Sequence, residues 1–316
     1  MNLAPVTVAE AQEARARLAP VALGTPLLPL NADAGGLEVW LKLENLQPIG
    51  SFKVRGAGNA LLGAPPSALT GGVYTASAGN MAQGVAFWAR RLGLACTALV
   101  PDNAPATKLA AIARLGAAAV SLPYAEWWDT LVRHGHPGQH GFFVHPVSDP
   151  AVMAGNATIA LELAEALPEI DAVLVPYGGG GLSCGIAAVL RALRPEVKVY
   201  ACEVETAAPL AASLAAGEAR TIEHRASFVD GIGGRSVLAE MWPLASTLLA
   251  GSLVVSVDEV AAAVRLLAER NRVVAEGAGA TPVAAALRGV PGARRVVCVV
   301  SGGNIDLTKL APLLAP

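Results

Sequence analysis

Residues 172–182 read Ala172-Val173-Leu174-Val175-Pro176-Tyr177-Gly178-Gly179-Gly180-Gly181-Leu182. Ala172 to Val175 is a short apolar run bounded by a turn signal, which predicts a buried strand, and the apolar stretch from Leu182 to Leu193 predicts a helix. A strand that passes through glycines into a helix collects unblocked backbone N–H groups and a helix N-terminus at one point, a cradle suited to phosphate. The turn lacks the Lys-Ser/Thr ending of a nucleotide P-loop and the spacing of a dinucleotide fingerprint, so ATP and NAD are disfavoured. Four glycines cost more conformational entropy than a plain connector needs.

The same alternation extends outward. Upstream, strands over 73–76, 95–100, 118–122 and 142–144 alternate with helices over 81–92, 106–115 and 126–133. Around the glycine turn, helices over 151–167, 182–193, 208–216, 258–270 and 281–287 alternate with strands over 172–175, 197–202, 253–257 and 295–300. Before these come a helix over 8–18, where Thr7 and Glu10 have capping-box spacing, a strand over 38–43, and a helix over 55–62 that Pro65-Pro66 breaks. The rhythm predicts an α/β fold with two lobes, each a twisted open sheet flanked by helices: a small domain over 72–145 and a large one built from 1–71 and 146–316. Ligands in such sheets collect at the carboxyl ends of strands.

With 316 residues, 53% of them hydrophobic, the chain can bury a large core. Twenty-three basic residues against 25 acidic, with no like-charged block, disfavour nucleic acid and anionic membranes as partners. No apolar run is long enough to span a bilayer, and Glu10 and Glu13 lie where a secretion signal would be basic and then apolar, so a cytoplasmic location is expected. Cys96, Cys184, Cys202 and Cys298 are widely spaced, which suits reduced, buried thiols.

Three more turns fall at predicted strand ends. Ser51-Phe52-Lys53 follows the strand over 38–43 and the polar turn Gln47-Pro48-Ile49-Gly50. An amine held at the mouth of a packed core loses proton affinity and becomes a nucleophile for carbonyls. Ser77-Ala78-Gly79-Asn80 and Ser301-Gly302-Gly303-Asn304 occupy the other two places. Singly, the lysine reads as a solvated side chain and Asn80 or Ser301 as helix caps. A reactive lysine, a phosphate cradle and two polar turns together describe a pocket for a phosphate-bearing aldehyde cofactor, pyridoxal 5′-phosphate.

These motifs resemble the fold type II pyridoxal-phosphate enzymes (tryptophan synthase β-like), and within them the serine/threonine dehydratase and serine racemase group. The likeness runs from Thr25-Pro26-Leu27 through Ser51-Phe52-Lys53-Val54-Arg55-Gly56, Ser77 to Asn80, His145-Pro146, Ala154 to Glu162, the glycine turn, Asp230-Gly231 and Ser301 to Leu307. It implies that Lys53 carries the covalent link to the cofactor and, once displaced by substrate, acts as base on Cα–H. Phe52 would lie near the ring, Asn80 would reach its 3′-oxygen, Gly178, Gly179, Gly180, Gly181 and Leu182 would bind phosphate, and Ser301 would face the pyridine nitrogen. Ser77, Ala78, Gly79 and Asn80 would grip the substrate carboxylate, and Glu276 matches a family glutamate near the site, its alternative being a polar helix end. The reaction implied is α,β-elimination on threonine, serine or a bulkier β-hydroxy amino acid, giving a 2-oxo acid and ammonia, by a homodimer or homotetramer.

Departures from the family narrow this. Racemases of the group carry serine where this chain has Ala78, which cannot shuttle a proton, so dehydration is favoured over racemisation. Met81 replaces a frequent histidine, and Asn156-Ala157 a usual Gln-Gly. The Glu/Asp pair that binds a divalent cation in many relatives is broken here into Glu203 and Pro209, so no metal site is expected. His134, His136 and His140 lie in a Gly/Pro-rich loop that reads as solvated rather than zinc-binding, and Trp127-Trp128 as helix packing. The chain stops soon after Asp306, before the place where allosteric relatives carry a further domain, so feedback control is not expected. The rival readings are racemisation or β-replacement on the same fold, and a cofactor-holding protein without turnover.

Overall fold

Two sheets carry this alternation in the computed structural model, which describes residues 3–167 and 169–315; Met1, Asn2, Pro168 and Pro316 lie outside them. Along the chain come α1 (Val8–Leu18), β1 (Leu27–Pro29), β2 (Glu38–Lys42), α2 (Lys53–Gly63), β3 (Val73–Ala76), α3 (Asn80–Leu92), β4 (Cys96–Pro101), α4 (Ala106–Arg114), β5 (Ala118–Leu122), α5 (Tyr124–Val132) and β6 (Phe142–Phe143). They are succeeded by α6 (Pro150–Ala166), β7 (Ala172–Pro176), α7 (Ser183–Leu193), β8 (Lys198–Val204), α8 (Pro209–Ala216), α9 (Trp242–Leu248), β9 (Gly251–Val255), α10 (Val257–Leu266), α11 (Gly277–Leu287), β10 (Arg295–Val299) and α12 (Leu307–Leu314).

The larger sheet has strand order β1-β2-β10-β7-β8-β9, parallel except for β1; the smaller, β5-β4-β3-β6, is parallel throughout. Parallel strands buried on both faces read as continuous apolar runs, and β7 and β10 do. Their period-2 alternation splits the core: Val173, Val175, Val297 and Val299 pack with α6 and α7, while Leu174, Val296 and Cys298 pack with α10 and α11. A third cluster joins α2 and α3 through Val54, Ala57, Val85 and Trp88. The helices α2 and α6 cross so closely that a Cβ on Gly155 would lie 2.4 Å from the Arg55 carbonyl oxygen.

Several boundaries differ from expectation for local reasons. The strand placed over 253–257 ends at Val255, because Ser256 and Glu259 form a reciprocal capping box that starts α10 at Val257. The expected helix to Arg270 stops at Leu266 and closes through a π turn over Leu267–Asn271, ended by Arg272 in the left-handed region. Lys53, read as part of the turn before a helix, is the first residue of α2 itself. All four cysteines are free and buried. Among the described residues no helix is long and apolar enough to cross a membrane.

Candidate active site

Since β2, β10 and β7 are neighbours, the turns beyond them meet: Lys53 after β2, Ser301 after β10 and the glycine turn after β7. Ser77 to Asn80, after β3 of the smaller sheet, faces them, and all four turns line one cleft of about 380 Å³. The lysine turn is tied to the last strand's turn: the Phe52 N–H donates to the Ser301 carbonyl at 2.9 Å, and Ser51 bridges Gly302. The Lys53 ammonium lies 5.1 Å from the Phe52 ring centroid and donates to the Pro146 carbonyl at 2.7 Å. Burial without a counter-charge lowers the amine from 10.5 to about 8.

The glycine turn presents a row of open donors. None of the N–H groups of Gly178, Gly179, Gly180, Gly181 or Leu182 donates to a protein acceptor, although buried backbone donors are almost always paired. Gly180 adopts φ +97, and a Cβ on Gly181 would stand 2.4 Å from the Val147 carbonyl oxygen. The backbone therefore lies flat on Val147 and turns its donors to the cleft at the start of α7, a geometry that fits a phosphate dianion. Gly181→Ala should loosen cofactor retention about tenfold or more, read as cofactor absorbance after equilibrium dialysis, because the loop must lift off Val147.

Beside the cradle, the Asn304 amide donates to Asn80 Oδ1 and to the Ile49 carbonyl, both at 2.8 Å. This fixes Asn80 with its Nδ2 donating to Glu276 Oε1 at 2.8 Å. Glu276 occupies the N-cap position of α11 without a side-chain capping bond, and it lines the cleft as well, so it is both a polar helix end and a cleft residue. Burial, and secondarily the Asp230 charge, lift it to about 7 against the Asn80 hydrogen bond. Ser301 is buried at the cleft wall. In the turn expected to grip a carboxylate, the Gly79 N–H is spent on Ser77 Oγ at 3.2 Å, while those of Ala78 and Asn80, at the start of α3, have no protein acceptor.

Comparison with known proteins gives the family. The model of the pyridoxal-phosphate dependent enzyme family matches residues 18–302. The chain belongs to this family. It is 37% identical over 311 residues to the L-threonine ammonia-lyase of Thermotoga maritima, covering 96% of this chain and 77% of that one. To the catabolic L-threonine dehydratase of Escherichia coli K12 it is 35% identical over 317 residues, 98% and 96% of the two chains. The serine racemase structure from Dictyostelium discoideum superposes with TM-score 0.86 at 32% identity, over 96% of this chain and 100% of that one. The fold is thus the fold type II of pyridoxal-phosphate enzymes, and its cofactor is pyridoxal 5′-phosphate.

The departures in sequence acquire structural reasons. Asn156, inside α6, reaches the cradle from beneath, Nδ2 to the Gly181 carbonyl at 3.4 Å. Met81 is buried in the α2–α3 cluster and also borders the cleft. The Glu203 carboxylate accepts from the Leu210 and Ala211 N–H groups, each at 2.8 Å, and from Ser252 Oγ at 2.6 Å, so it binds the start of α8.

One reading needs correction and another an addition. The histidine loop is not freely solvated. His136 bonds Glu126 at 2.9 Å, and His134 stacks on His145 at 4.4 Å and meets Glu240 at 3.2 Å. His134, His145 and Glu240 bring ligand atoms within 4.8 Å of one another. Both His145 nitrogens are nevertheless engaged: Nδ1 accepts from Ser148 N–H at 2.8 Å, and Nε2 faces the Leu131 carbonyl at 3.1 Å. Burial holds this ring neutral, down to about 4. Trp127 and Trp128 pack in their helix as expected, but they also wall the cleft with Tyr124. Sequence reasoning missed Tyr124, Arg235, and the Lys108–Asp230 ion pair at 3.2 Å; Tyr124 opens α5 directly after β5, a strand end that could have drawn attention to it, whereas Arg235 lies in an irregular stretch.

Proposed function

We propose that this enzyme eliminates the β-hydroxyl of an amino acid such as L-threonine or L-serine, releasing a 2-oxo acid and ammonia, as the names of its relatives suggest. The observation that carries the reading is the make-up of the cleft: the desolvated Lys53 amine lines it on one turn, and the turn after β3 contributes Ala78, which has no proton to exchange. A panel of β-hydroxy amino acids scored for carbonyl product against D-isomer tests it. Racemisation as the main outcome would overturn it.

The chain's groups fit the work required. Gly178 to Leu182 would hold the cofactor phosphate through their open N–H groups, Phe52 would flank the ring, the second Asn80 amide hydrogen would reach the 3′-oxygen, and Ser301 would face the ring nitrogen. Bound pyridoxal phosphate supplies the electron sink for a carbanion at Cα. Lys53 Nζ, neutral at mildly alkaline pH, takes the Cα proton, and its hydrogen bond to Pro146 holds it in position. Open N–H groups of Ala78 and Asn80 orient the substrate carboxylate. A hydroxyl opposite the ring nitrogen, unlike a carboxylate, does not enforce a protonated ring, so prompt loss of the β-substituent is favoured over transamination. The division into 1–71 with 146–316 and 72–145, a cytoplasmic address, a homodimeric or homotetrameric assembly and the absence of a resident metal belong to the same proposal.

The Lys53 amine gives a pH prediction. Its folded value lies near 8, below the ordinary 10.5, so the neutral, nucleophilic form is half-populated near pH 8 and nearly complete about one unit above it. Recombination of apoenzyme with pyridoxal phosphate should therefore slow about tenfold per unit below pH 8 and level off above it. A rate that continues to climb towards pH 10.5 in stopped-flow absorbance would show an unperturbed lysine.

A further inference from the structure

The cleft holds one more set of anion donors than a simple hydroxy amino acid and the cofactor require. The cofactor phosphate is matched by the glycine turn and the substrate α-carboxylate by the start of α3. On the wall made by α5 and residues 235–238, the Arg235 guanidinium lies 4.8 Å over the Tyr124 ring. Of the other side chains that bring charge, Lys53 is reserved for the cofactor and donates to the Pro146 carbonyl, and the rest are matched. Asp230 is shared between Lys108 and Lys309, each at 3.2 Å, and Glu276 accepts from Asn80. Among the described residues Arg235 has no carboxylate partner.

A second donor stands beside it. The Trp127 ring lies 5.6 Å from the Tyr124 ring, and its buried Nε1–H has no acceptor. Both groups only donate and both flank one aromatic ring; Arg235 and the Trp127 ring line the cleft, while the Trp127 Nε1–H is turned into the packing behind it. The Arg235 backbone is fixed: its carbonyl accepts from Ile222 N–H at 2.9 Å, and Ser236 bridges Thr221 with the two hydroxyls 2.8 Å apart. A guanidinium fork on a held backbone suits bidentate capture of a carboxylate.

The geometry points to Arg235, stacked on Tyr124 at the cleft wall, as the binding site for a second carboxylate on the substrate side chain, so that the preferred substrates are dicarboxylic β-hydroxy amino acids of the 3-hydroxyaspartate type. Binding itself is independent of the elimination reading; only the fate of the bound substrate rests on it. Without Arg235, the remaining wall of Tyr124, Trp127, Trp128 and Leu238 would favour an apolar side chain.

The test uses holoenzyme and calorimetric titration with succinate and butyrate, equal in length and differing by one carboxylate. Succinate should bind about 30-fold more tightly or better. Arg235→Met should close that gap and Arg235→Lys should restore part of it. In turnover, the kcat/KM preference for 3-hydroxyaspartate over threonine should fall by a similar factor in Arg235→Met, mainly through KM. Equal affinity for succinate and butyrate in the wild type overturns the assignment. So does an Arg235→Met enzyme whose only change is weaker cofactor retention, which would give the guanidinium to the phosphate. Arg235-dependent succinate binding in an enzyme that converts no β-hydroxy amino acid supports the carboxylate site and sinks the elimination reading; threonine turnover without succinate preference does the reverse.

Discussion

Lys53→Ala is expected to lower kcat about 10⁴-fold or more on every amino acid tested, since in the proposed function one amine would supply both the covalent attachment and the proton acceptor at Cα. The cofactor should still bind the variant, because the open N–H groups of Gly178 to Leu182 and the Asn80 amide do not depend on residue 53. Borohydride treatment and peptide mapping should place the label on the peptide containing residue 53 in the parent and nowhere in the variant. Lys53→Arg should not rescue: a guanidinium stays protonated where the lysine amine, at about 8, does not. A label on Lys42 or Lys108 would overturn the assignment. Lys42 is the weaker rival, because it is buried in an ion pair with Glu162 and donates to the Thr25 carbonyl.

The sheets were legible because their strands are short apolar runs punctuated by Gly and Pro, and the site was legible because its turns sit where parallel strands end. What escaped has physical causes. β1 is three residues long and ends in Pro29, α9 begins on Trp242-Pro243 after an irregular stretch, and α12 contains Pro312, so none has a clean period. The Pro146 carbonyl that holds Lys53 is main chain, which no residue type announces. Arg235 and Tyr124 meet only through the packing of segments more than 100 residues apart. The stack of His134 on His145 joins a loop that looked solvated to a motif known only as a sequence landmark.

Arg55→Met should be among the most destabilising single changes in the chain, although Arg55 does not line the cleft. Its guanidinium binds Glu44 through two bonds of 2.8 Å and Glu162 through bonds of 2.6 and 3.0 Å, and it reaches Thr158 and the Leu23 carbonyl. Glu44 is fully buried, with further bonds from Thr25 at 2.6 Å and Gln47 at 3.2 Å. Burial acts to raise the Glu44 carboxyl, and the charge and hydrogen bonds of Arg55, together with Lys42 and Thr25, outweigh it and hold the group below its ordinary value. Removing the cation leaves a buried carboxylate without its main partner, a loss of about 3–5 kcal/mol. Proton linkage sets the sign with pH. In the parent, the Glu44 contribution is present above the unfolded value of 4.5 and is lost as pH falls through the lower folded value. In Arg55→Met, burial alone raises the carboxyl, so the variant's deficit is greatest at neutral pH and shrinks in mild acid as Glu44 takes up a proton. Adding Glu44→Gln should recover part of the loss at pH 7 and little of it at pH 4.5, read as urea midpoints. A deficit independent of pH would mean that lost packing, rather than the stranded charge, dominates. Because Arg55 lies two residues beyond Lys53 and ties α2 to α6, the same variant should retain cofactor less well even where it remains folded.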